Sequence, residues 1–393
     1  MLSPSYLSTV SSDVVSIFGQ AEEEIRDDIA RRIVKNGYVT ETAKWQIEKA
    51  KQIGMLQGDV NKTLAQSTGK SKKEIKRLMS EAGAKSLAFD DVIYKAAGFD
   101  PVDVAKSPVL QTMLLQGTDK TLALVGNFTK TTAKASTSAF NNLLDKAYIQ
   151  ILSGAYSPNT AIRNVIKQLA SEGIEKIAFP KGYSSLDVAV RRAITTGINQ
   201  SISKLQIARA NELECYLVEV TAHAGARPSH AVWQGGVYSL QGRYRGYADF
   251  YDATGYGTGE GLCGWNCYHN FFPFFEGLST KSFSRDPSAD FGRDNDEDFE
   301  LQQKQRYYER QVRSAKNECI VYNSAMEATD DEELKNMLYE DFQKSSVKLK
   351  RREALLKDFV NSSGITRQND REWVAGFNHS VSSKAVWANK KAH

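Results

Sequence analysis

The chain has 393 residues, with 51 Lys plus Arg against 47 Asp plus Glu and a formal net charge of +4. That near balance excludes a basic tail that coats nucleic acid and an acidic disordered protein, and the 41% hydrophobic and 25% charged fractions are those of a folded globular chain. No run approaches the ~18–20 apolar residues of a membrane helix, the first residues lack a basic region followed by an apolar core, and four cysteines do not make a disulfide framework.

Residues 1–214 read as helices. Ile25, Ile29 and Ile33 recur at i, i+4, i+8 as one apolar stripe, Glu22 and Arg26 form a supporting i,i+4 pair, and Asn36-Gly37 ends the helix. Thr40 is a cap for the next helix, which is expected to stop at Gly54, giving two antiparallel helices. Ser71 and Glu74 have the spacing of a capping box before Ile75, Leu78 and Met79. Within 61–83, Ala65, Gly69, Ile75 and Leu78 also have the spacing of a helix-turn-helix. Its second helix would carry Lys72, Lys73, Lys76 and Arg77 toward phosphates; a plain helical hairpin has the same pattern. Further helices are predicted near 87–97, 106–116, 135–153, 158–171 and 185–213. In the last of these, Val190, Ile194, Ile198, Ile202 and Leu205 form the clearest stripe, with Ser184 or Ser185 as the cap.

The period changes at Cys215–His223, where alternation predicts a strand. Ten of the 27 glycines lie between Gly235 and Gly277, the same stretch that holds Cys263, Cys267 and His269. Residues 284–300 are polar and acidic, a surface connection, and helices return after 299. The expected fold class is α+β: a helical region 1–150, a helical connector 151–214, a small β-containing Gly/aromatic-rich module 215–283, and an acidic linker with charged C-terminal helices 284–393.

Chemistry-bearing side chains concentrate in that module. His223, His230, Cys263, Cys267 and His269 offer the imidazole and thiolate ligands that suit zinc; the alternative is that the cysteines are small apolar fillers and the histidines are hydrogen-bonded. Cys267 with His269 or His230 is a candidate thiolate–base pair, and His223, Arg227 and His230 are the base, clamp and acid of a ribonuclease-like site. These make a metal- or Cys/His-dependent hydrolase or nuclease one rival reading, and a helix-turn-helix DNA-binding protein another. Arg306, Arg310 and Arg313 share a helix face that can grip phosphate or an acidic partner, or be simply solvated.

The blocks HAGARPSHAVWQGGVYSL, GLCGWNCYHNFFPFFEG and QKQRYYERQVRSAKNE resemble the minor capsid, or minor head, proteins of tailed bacteriophages. The shared features are His223, Arg227-Pro228, His230, Trp233-Gln234-Gly235, Cys263-Gly264-x-Asn266-Cys267-x-His269, Pro273, and the R-x3-R of Arg306 and Arg310, after a helix containing RRAITTGINQ. The resemblance covers roughly residues 150–320 and departs from the family pattern at Tyr268, where arginine is common. It implies a structural, non-enzymatic virion component with no required cofactor. Such a protein is assembled in the host cytoplasm and sits in the head interior near the portal. It acts in head assembly and in DNA packaging or ejection. Its implied partners are the portal protein, the major capsid protein or scaffold, and packaged double-stranded DNA, with no membrane, and the helical region 1–150 becomes the candidate for portal or capsid docking.

Overall fold

A computed structural model describes residues 1–36, 42–174, 177–179 and 182–392, without the side chains of 177–179 and 182–184. The protein is α+β and mainly helical. The helices in chain order are α1 (Pro4–Thr9), α2 (Ser12–Asn36), α3 (Thr42–Ala96), α4 (Pro108–Leu152), α5 (Pro158–Glu172), α6 (Leu186–Glu212), α7 (Pro228–Ala231), α8 (Phe250–Thr254), α9 (Asn295–Glu327), α10 (Glu332–Ser363), α11 (Asn369–Glu372) and α12 (His379–Lys391). The strands are β1 (Ile177–Phe179), β2 (Gly182–Ser184), β3 (Leu217–Val220), β4 (Val237–Ser239) and β5 (Phe271–Pro273). Among the described residues, no helix is long and apolar enough to cross a membrane.

The expected stripes form. Ile25, Ile29 and Ile33 of α2 are buried, as are Val190, Ile194, Ile198, Ile202 and Leu205 of α6, and Arg26 Nη2 pairs with Glu22 at 3.0 Å. The expected cap Thr40 and the break at Gly37 lie outside the described residues, as does the side chain of Ser184.

The stop at Gly54, the hairpin within 61–83, the capping box and the helix-turn-helix do not form. Gly54, Gly58, Gly69 and Gly83 all lie inside the 55-residue helix α3. A glycine in a helix interior costs only about 1 kcal/mol, and here buried Trp45, Leu56, Val60, Leu64, Ile75, Leu78 and Met79 offset it. Ser71 is accordingly a buried interior residue and not a cap. Without a turn at Gly69 there is no separate recognition helix to enter a groove, so residues 61–83 are not a helix-turn-helix.

The chain divides into two compact units, one made of residues 1–15, 70–126 and 188–303, the other of 16–69, 127–187 and 304–393. In the first, α4 and α6 approach closely through small residues. A Cβ on Gly117 would lie 2.1 Å from Ser201 Oγ, and one on Gly197 would lie 2.2 Å from Thr121 Oγ1. The sheet of this unit is antiparallel with order β4-β3-β5; Val218 is opposite Tyr238 on one side and Pro273 on the other. Pro273, which has no N–H to donate, sits on an edge strand. All four residues of β3 are buried, on both faces.

The core around the sheet gathers Tyr94, Val218, Val220, Trp233, Phe250 and Phe271 with three of the four cysteines. The 284–300 run, expected as a surface connection, is partly built into the same unit: the buried Asn295 amide accepts from Ala226 N at 2.8 Å and donates to Ala226 O at 2.7 Å, and Arg293 pairs with buried Asp298 at 2.6 Å.

In the second unit, α5 starts at a Ser157 cap with Pro158 in its first turn. It presents Arg163 to α10, where Asp341 accepts from Nε at 2.6 Å and from Nη2 at 2.9 Å.

Candidate functional site

Two short elements and a loop bring the His/Cys residues together. Arg227 is the cap position of α7, Pro228 its first residue, and His230 its buried third. The chain then turns through Trp233, Gln234 and Gly235, the last in the left-handed region at φ 59°. A Cβ on Gly235 would stand 2.4 Å from Ser284 O, so only glycine fits that turn.

On the opposite side, Cys263 and Asn266 hold positive φ angles of 58° and 53°. Between them, a Cβ on Gly264 would lie 2.5 Å from Gly259 O. This wound loop leads into Cys267, Tyr268 and His269 just before β5. Non-glycine residues in the left-handed region cost of order 1 kcal/mol each and persist only where the surroundings hold them.

The holder is α6. The Asn199 amide donates to Cys267 O at 3.0 Å and His269 O at 2.8 Å, and its Oδ1 accepts from Asn270 Nδ2 at 3.0 Å. Asn266 N donates to Thr196 Oγ1 at 3.0 Å, Ser203 is hydrogen-bonded to Tyr256, and Gln206 donates to Phe271 O at 2.6 Å. These positions, 196, 199, 203 and 206, form a polar face of α6 at helical spacing beside its apolar stripe. Sequence reasoning missed them; the signal was a row of small polar and amide residues with the same period as the stripe.

The imidazoles gather around Cys267. His230 Nδ1 is 3.8 Å and His269 Nδ1 3.6 Å from Cys267 Sγ, and the ligand atoms of these three buried residues all lie within 4.8 Å of one another. Of the five residues expected as metal ligands, Cys263 and His223 are not in that group. Cys263 Sγ faces His269 O at 3.7 Å within the core, and half-buried His223 stacks on His269 with ring centroids 4.4 Å apart. Trp233 lies against both His230 (4.6 Å) and His269 (4.9 Å). Arg227 donates to the carbonyls of Trp265 at 2.7 Å and Asn266 at 3.3 Å, bracing the loop.

Burial governs the proton affinities. It lowers the His230 imidazole to about 4, with Arg227 and His223 adding to the effect, and holds His269 well below the ordinary histidine range. It pushes the Cys267 thiol up to about 11, the opposite of the activation a nucleophile requires.

A histidine whose folded pKa lies below its unfolded value near 6.5 stays neutral while the unfolded chain takes up a proton. Its contribution to stability is therefore complete above about pH 6.5 and is lost as pH falls toward 4. Thermal unfolding in EDTA across that window is expected to show a steep loss, made shallower by up to about one proton in His230→Gln; an unchanged slope in the variant contradicts neutral burial.

The remaining basic residues lie elsewhere. Lys72, Lys73 and Lys76 are exposed on α3, while Arg77 is ion-paired with both Glu74 and Glu81. On α9, Arg310 is exposed, Arg306 is half-buried, and Arg313 donates to the backbone oxygen of Arg371. The Arg306/Arg310/Arg313 face is thus partly structural.

A family model described as phage minor capsid protein 2 matches residues 2–361. The chain belongs to the phage minor capsid protein 2 family. The resemblance carried by the 150–320 motifs thus extends over nearly the whole sequence. The chain is also 28% identical over 249 residues to a "structural protein" of Lactococcus phage LL-H, a match that covers 60% of this chain and 62% of that relative, so it spans about three-fifths of the relative's length. It is 33% identical over 134 residues to a "structural protein" of Lactococcus phage mv4, covering 33% of this chain and 93% of the relative. No solved structure matches.

Proposed function

We propose that this minor capsid protein is a non-enzymatic component of the phage head, placed in the interior near the portal, where it acts in head assembly and in packaging or ejection of DNA. The observation that carries this reading is the family match over residues 2–361, joined by relatives described as structural proteins. Two physical features support it. Large apolar side chains stay exposed along the two longest helices, Ile47, Phe89 and Val92 on α3 and Val109, Leu115 and Ile149 on α4, and exposed apolar surface is what a docking partner covers. The exposed Lys70, Lys72, Lys73 and Lys76 offer phosphate contacts, but with a net charge of +4 the DNA interaction is weak and salt-sensitive.

Mass spectrometry of purified particles tests the reading. The expected result is this chain in DNA-filled heads, at far fewer copies than the major capsid protein, with cross-links to the portal protein. Absence from particles overturns the virion role, and cross-links confined to the major capsid protein overturn the portal placement.

A further inference from the structure

We propose that His230, Cys267 and His269 form a zinc site that clasps α7 to the segment entering β5. The argument starts from where the protons must be. His230 Nε2 lies 2.8 Å from the backbone oxygen of Glu260, which only accepts, so Nε2 carries the proton and Nδ1 presents a lone pair. At His269, Nε2 lies 2.9 Å from Gln234 Oε1. That same Oε1 accepts from the backbone N–H of His223 at 3.1 Å, which fixes it as the oxygen of the amide. His269 Nε2 is therefore protonated as well, and its Nδ1 is a second lone pair.

Both lone pairs point at one sulfur, 3.8 and 3.6 Å away. A thiol has a single proton and can satisfy one of them, which leaves the other facing sulfur electrons in a buried site, a costly arrangement. A cation in place of that proton accepts all three donors: the thiol gives its proton to solvent, and Cys267 binds as thiolate. For tetrahedral zinc, bond lengths of about 2.3 Å to sulfur and about 2.0 Å to nitrogen put the sulfur about 3.5 Å from each nitrogen, close to the 3.8 and 3.6 Å found here.

Behind each imidazole stands an oxygen that accepts its other N–H, Glu260 O for His230 and Gln234 Oε1 for His269, the arrangement that orients metal-bound histidines. One thiolate with two imidazoles suits zinc among the common divalent ions. Three protein ligands leave the fourth position to water. The clasp joins residues 37 apart in sequence, and it assigns different work to the two cysteines of the motif: Cys267 is a ligand, whereas Cys263 is core packing.

Metal analysis of the full chain, expressed in zinc-supplemented medium and dialysed, tests this. The expected content is about one zinc per chain, reduced at least about tenfold in Cys267→Ser and in His269→Gln and retained in Cys263→Ser. Because the ligand variants can fail to fold, cobalt substitution of the unaltered chain is the second measurement, with a thiolate-to-cobalt charge-transfer band and intense four-coordinate visible bands expected. Zinc-free protein without the charge-transfer band overturns the site, as does copper in place of zinc. Equal metal loss in Cys263→Ser and Cys267→Ser overturns the ligand assignment. None of these results bears on whether the chain is found in particles, so the site and the virion role fail separately.

Discussion

Replacing Asn199 by alanine is expected to destabilise the protein by about 4 kcal/mol. The Asn199 amide group serves two carbonyls, Cys267 O and His269 O, while its oxygen accepts from Asn270, and every member is buried. Removing the side chain leaves all three interactions unmade, each worth about 1–3 kcal/mol in a site that water does not reach. It also removes what holds the loop with Cys263 and Asn266 in the left-handed region. Aspartate separates hydrogen bonding from packing. Asn199→Asp keeps the volume and the acceptor for Asn270 but turns an oxygen toward two carbonyl oxygens, so it is expected to be at least as damaging as alanine. Lys204→Ala, an exposed change on the same helix, is expected to stay within about 0.5 kcal/mol. Unfolding midpoints of the three variants provide the check; an aspartate variant near wild type would mean that the amide does not hold the loop.

The second large effect lies in the other unit. Arg163 grips Asp341 through two hydrogen bonds and also pairs with Glu340 at 3.0 Å, while Lys167 stands 3.2 Å from the same buried Asp341. The bidentate contact with Asp341 raises the Arg163 pKa above its ordinary value, so the guanidinium remains charged. Arg163→Met is expected to cost about 3 kcal/mol, because it leaves a carboxylate that is 3% exposed with a single, more exposed lysine. Most of that loss is the stranded charge, so Arg163→Met combined with Asp341→Leu is expected to recover part of it. Urea unfolding of both single variants and the double variant gives the coupling; strictly additive losses would show that the Arg163–Asp341 pair does not hold α5 to α10.

Much of the scaffold was legible because burial repeats at helical intervals. The isoleucines of α2 and the stripe of α6 could be read directly, since nothing competes with a period of 3.6 in those segments. Gly54 and Gly69 misled because a glycine's local preference for turns is weaker than the burial of Trp45, Leu64 and Ile75 on either side of it, and sequence spacing does not reveal what buries them. The site was legible as a concentration of reactive side chains in a glycine-rich stretch, yet its selection of Cys267 over Cys263 depends on loop winding at two left-handed residues, for which neither cysteine nor asparagine is an obvious marker. The polar face of α6 escaped because threonine, asparagine, serine and glutamine on a helix ordinarily meet solvent. Here Thr196, Asn199 and Gln206 meet backbone carbonyls and an amide of a segment about 70 residues away, and Ser203 meets the Tyr256 hydroxyl.

Each compact unit is assembled from three separated stretches of chain, and the passages between them fall inside helices such as α3 and α4 rather than in loops. No single cut therefore releases either unit whole, and any break between residues 16 and 303 divides both units at once.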